Sequence, residues 1–102
     1  MENFQLAESL ARTLVERRLA ACVNILGPLR SFYRWQDKVA VTEERVLQIK
    51  TVRDNLDRVR VAIKDGAGYE MPEVLVLDVA EGDEAYLNWL TAQCAPAQPA
   101  EG

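Results

Sequence analysis

The sequence predicts a two-layer α+β domain, and three observations carry that prediction. Apolar residues recur at helical spacing near the start. Strand-favouring aromatics at 32–35 and the apolar run 46–49 flank a turn across the middle. A second helical pattern is followed by the continuous apolar run Val74-Leu75-Val76-Leu77. The element order reads helix, strand, strand, helix, strand, helix. The chain has 102 residues, the size of one domain, enough to hold a core without disulfide or metal staples.

Asn3 is placed to cap a helix over residues 4–18. Leu6, Leu10 and Leu14 form its apolar stripe, with Ala7, Ala11 and Val15 beside them, and Arg17 and Arg18 fall in its last turn. Residues 21–26 read as a strand. Gly27-Pro28 marks a bulge or bend in it, and residues 29–35 continue extended with Phe32, Tyr33 and Trp35. Gln36-Asp37-Lys38 is a turn, and a second long strand covers 39–51, completing one long hairpin. The second helix starts at Thr51 or Asp54 and buries Leu56, Val59 and Ile63; Asp65-Gly66-Ala67-Gly68 ends it, with Gly66 placed for a left-handed cap. Residues 73–79 are a strand whose continuous apolar character suggests an interior sheet position. Gly82-Asp83 leads into a short last helix with Tyr86, Trp89 and Leu90 on one side. The sequence therefore reads as one domain over residues 1–94 and a flexible tail over 95–102. A split βαβ sandwich wants one more strand before the first helix.

Composition excludes several functions. There is no histidine, so no His-based triad and no His-ligated metal site forms within one chain. The net charge of −4 offers no broad attraction to nucleic acid or anionic membrane. No apolar stretch approaches the roughly 20 residues of a spanning helix, and no signal peptide opens the chain. Cys22 and Cys94 form no Cys-x-x-Cys pair and read as reduced thiols of a cytoplasmic protein. No Gly-rich phosphate cradle is present.

A few side chains could carry chemistry. Cys22 is a soft metal ligand, a nucleophile or, as free cysteine commonly is, a small buried hydrophobe. With no histidine to activate it, catalysis is not expected. Tyr33 and Trp35 share one strand face, where they wall a cleft, fill a subunit interface or pack under the hairpin. Lys50, after the apolar run Val46 to Ile49, grips an anion or snorkels to water. Tyr69-Glu70-Met71-Pro72-Glu73 is a loop in which Glu70 and Glu73 offer hard oxygen ligands or a solvated acidic edge. Glu43-Glu44-Arg45 reads as a solvated strand edge.

Five blocks in register resemble the CutA family of divalent-ion tolerance proteins. They are Arg18-Leu19-Ala20-Ala21-Cys22-Val23-Asn24-Ile25, Ser31-Phe32-Tyr33-Arg34-Trp35-Gln36, Leu47-Gln48-Ile49-Lys50-Thr51, Tyr69-Glu70-Met71-Pro72-Glu73-Val74, and Glu81-Gly82-Asp83 with Tyr86-Leu87-Asn88-Trp89-Leu90. The resemblance spans residues 3–90. It implies a ferredoxin-like α+β fold, a homotrimer in which long hairpins pair across interfaces, and a role in copper and divalent-ion tolerance. The family's inter-subunit clefts gather positions matching Cys22, Tyr33, Trp35, Lys50, Tyr69 and Glu73. Its likeness to trimeric PII signalling proteins implies a rival role, sensing a small metabolite or anion.

The chain also departs from the family. Its first strand, and the cysteine some copper-binding members carry there, have no counterpart. Ala67-Gly68 stand where the family places His-Pro, Gly66 stands where some members have a second histidine, and Asp37 stands where glycine is usual. The copper site therefore does not transfer residue by residue. The expectation is a non-catalytic, homotrimeric binding or regulatory module. It binds Cu²⁺ or another divalent cation weakly through Cys22 or Glu73, and has no nucleic-acid or membrane partner. The interior place of the first strand is left by a late recorded start, by direct closure of the sheet, or to another segment.

Overall fold

The computed structural model describes residues 1, 3–67 and 73–95. In chain order these form α1 (Phe4–Glu16), β1 (Cys22–Trp35), β2 (Lys38–Lys50), a 3₁₀ turn (Arg53–Asn55), α2 (Leu56–Ala67) and α3 (Glu84–Gln93). The mixed α+β class stands, built on one long antiparallel hairpin.

Helix α1 begins where its cap predicts: the Asn3 side-chain oxygen accepts the Leu6 N–H at 3.0 Å. Its buried stripe is Ala7, Leu10 and Leu14, with Leu6 and Val15 exposed on its flanks. The helix ends two residues before the expected Arg18. Arg18 takes a left-handed backbone, φ 59°. The Leu19 N–H then reaches back to the Leu14 carbonyl at 2.9 Å and the Arg18 N–H to the Val15 carbonyl at 3.0 Å. That pair of bonds, with Leu14 and Leu19 both in the core, is a Schellman stop with its usual apolar contact. Arg17 and Arg18 thus lie past the helix instead of in its last turn.

The hairpin is set by its two ends. Gln36 and Asp37 both have positive φ, 50° and 62°, which makes the tight two-residue turn whose twist suits a hairpin. Trp35 pairs with Lys38, and the register runs unbroken to Leu29 opposite Glu44. Gly27 and Pro28 then bulge, and pairing resumes one residue shifted, from Leu26 opposite Val46 to Cys22 opposite Lys50. Gly27 has φ 123°, and a Cβ there would meet the Glu44 carbonyl oxygen at 3.0 Å, so glycine is required. The hairpin projects from the body. The radius of gyration is 15.2 Å, against about 13 Å for a compact chain of this size.

Helix α2 follows the 3₁₀ turn, whose own cap position is Val52 with no side-chain cap bond, in place of the expected start at Thr51 or Asp54. Val59 and Ala62 are buried, while Leu56 and Ile63 are half-buried. The expected left-handed cap at Gly66 is corrected: the helix runs through it to Ala67. Gly66 serves packing instead, since a Cβ there would meet a Leu10 methyl at 3.3 Å, so its lack of a side chain lets α2 approach α1. The core lies between α1, α2 and one face of the hairpin. It contains Leu10, Leu14, Leu19, Ala20, Val59 and Ala62, with Met1, Val23, Leu47 and Ile49 packed against it.

Two further expectations are corrected. Residues 73–83 carry no regular secondary structure, and the sheet of the described residues has two strands. A strand exists only with a ladder partner, and this run has none among the described residues, whatever its propensity. Leu75 and Leu77 are accordingly 81% and 87% exposed. The sheet therefore does not close directly onto residues 73–79. Along β2, residues 43–45 are not simply a solvated edge. Met1 and Arg45 exchange both backbone hydrogen bonds, at 2.5 and 2.7 Å, and the Arg45 guanidinium lies 4.9 Å from the Phe4 ring centre. Helix α3 follows Gly82-Asp83 as expected, and the structure makes Asp83 its cap, accepting the Tyr86 N–H. Ala95, read from sequence as the first tail residue, donates to the Arg18 carbonyl at 2.7 Å; residues 96–102 lie outside the described residues.

Asn55 is fully buried, donating to the Leu19 carbonyl at 3.2 Å and accepting from Arg58. Asn55→Ala is expected to cost about 1–3 kcal/mol by removing a partner from buried groups. Guanidinium unfolding checks it through a lower midpoint at unchanged slope.

Candidate functional site

Strand alternation and the bulge together decide which candidate side chains share a face. In β2 the residues facing the helices are odd-numbered, Arg45, Leu47 and Ile49 among them, because Leu47 and Ile49 pack on the core. Even-numbered Lys38, Ala40, Gln48 and Lys50 therefore face the other way. Their partners in β1 are Trp35, Tyr33, Asn24 and Cys22. So Cys22, Tyr33, Trp35 and Lys50 occupy one face of the hairpin. The bulge is responsible. Without the extra residue at Gly27-Pro28, Cys22 would fall on the helix side, since a one-residue slip reverses every side chain.

Sharing a face is not forming a site. Cys22 and Lys50 are direct cross-strand neighbours at the hairpin's base, close enough for side-chain contact. Asn24 lies beside them, its side-chain oxygen 3.9 Å from the Cys22 sulfur, and Gln48 is Asn24's partner. Tyr33 and Trp35 stand near the tip, about 35 Å farther along at about 3.3 Å per residue. The single chain thus brings Cys22 to Lys50 but not to the aromatic pair. Glu73 is exposed at the start of the irregular run. Tyr69, with Glu70, Met71 and Pro72, lies outside the described residues.

Sequence reasoning missed Asn24 and Gln48 as companions of Cys22. The signal was available only in combination: period-two alternation plus a two-for-one bulge at Gly27-Pro28. It also left open whether Tyr33 and Trp35 pack under the hairpin. They do not. Trp35 is 56% exposed and Tyr33 42%. On the opposite face of the tip, Phe32 is 66% and Val39 68% exposed. Both faces of the tip are therefore apolar and open.

A divalent ion requires several converging donors: four for zinc, six or more oxygens for calcium. Among the described residues no three Cys, Asp or Glu side chains converge. The donors described in one chain do not fit a resident metal ion. The arrangement at the base, a thiol, two amides and a lysine ammonium, suits an anionic or polar ligand better than a hard cation.

The family model described as CutA1 divalent ion tolerance protein matches residues 1–93. The chain is 42% identical over 86 residues to the divalent-cation tolerance protein CutA of Thermus thermophilus, an alignment covering 84% of each chain. It is 35% identical over 88 residues to mouse protein CutA, covering 86% of this chain and 50% of the mouse protein. The chain thus spans about half the length of that relative. The fold matches the solved structure of the T. thermophilus divalent cation tolerance protein with a TM-score of 0.89 at 38% identity, over 93% of this chain and 92% of the other.

Proposed function

The chain belongs to the CutA1 divalent ion tolerance protein family, and we propose that it acts in the divalent-ion response as a homotrimeric binding or regulatory module, not as a catalyst. The observation that carries this reading is the hairpin tip. A projecting hairpin with Phe32, Trp35 and Val39 mostly exposed, on both faces, presents apolar surface that the described residues of one chain leave uncovered. Assembly covers it: a closed ring of copies pairs hairpin with hairpin and buries the strand edges as well. Assembly also bridges the distance along the hairpin. The Tyr33–Trp35 face of one copy is free to approach the Cys22–Lys50 base of the next. That completes an inter-subunit cleft from residues one chain holds apart.

In this reading the divalent-ion role does not run through a metal centre built inside one chain. Among the described residues, copper or another divalent cation finds Cys22 and single carboxylates such as Glu73, and binds weakly. A second reading is favoured by the base of the hairpin itself. Lys50 beside Cys22, Asn24 and Gln48 offers one cation and several hydrogen-bonding groups, a set suited to a small anion or metabolite, as in a PII-like sensor. The two readings share the cleft and differ in its ligand. In both the protein is cytoplasmic.

Two measurements test these proposals. Light scattering is expected to give three times the 11.5 kDa chain mass. Trp35→Glu is expected to lower that mass while helical circular dichroism is retained; a monomeric parent protein contradicts the proposal. Calorimetric titration with Cu²⁺ is expected to show weak binding that Cys22→Ala diminishes, and a tight site indifferent to Cys22→Ala contradicts it. A thermal-shift screen of small anions separates the second reading, since a ligand of the folded state raises the Tm by mass action.

A further inference from the structure

We draw no further inference here: the strongest candidate, the open groove between α1 and α2 walled by Ser9, Thr13, Arg17 and Asp65 beside Leu10 and Gly66, carries nothing because nothing in the structure shows what covers it.

Discussion

The carbonyl of Leu19 is the constraint on which the rest of the structure depends. The three residues Leu19, Ala20 and Ala21 are buried, and a buried backbone must have its polar groups paired. Leu19 is 2% exposed. Its N–H is taken by the Leu14 carbonyl, and its own carbonyl accepts the Thr51 hydroxyl at 2.5 Å and the Asn55 amide at 3.2 Å. Those two donors come from just after β2 and from the 3₁₀ turn before α2. The next residues continue the accounting: the Ala21 N–H donates to the Lys50 carbonyl at 2.9 Å. One short connection therefore fixes the end of α1, the open end of the hairpin and the start of α2 relative to one another.

The placement of the candidate site follows from that constraint. Because Ala21 is tied to Lys50, strand β1 enters opposite the last residue of β2, and Cys22 meets Lys50. The bulge at Gly27-Pro28 then turns the hairpin's outer half so that Tyr33 and Trp35 share the face of Cys22. The hairpin's length carries the aromatic pair away from the base, so the chain's chemistry is split between two ends of one element. A homotrimeric assembly is the arrangement proposed to rejoin them.

What could be read in the residues alone was local. The apolar run 46–49, the aromatic run 32–35 and the Gln36-Asp37-Lys38 turn were enough for the hairpin, because each acts between neighbours in sequence. Leucines four apart were enough for α1, and Asn3 for its start. The failures were of another kind. Residues 73–79 have strong strand propensity, but a strand needs a neighbour, and propensity says nothing of whether one is present. Gly66 suited a left-handed cap, yet its use is a close approach to Leu10 that only the packed structure reveals. Cys22 could be singled out by chemistry but not assigned a face, since one extra residue in the bulge inverts the parity. Arg18 looked like a helix-end cation; its partners lie more than seventy residues away in sequence.

The central claim, that satisfaction of the buried Leu19 carbonyl organises the fold, is tested most directly by a double-mutant cycle between Thr51→Val and Asn55→Ala. Each single change leaves the carbonyl one donor; together they leave it none. The account predicts a double mutant less stable than the sum of the single effects, by about 1–2 kcal/mol, the cost of an orphaned buried acceptor. Additivity within about 0.5 kcal/mol would contradict it.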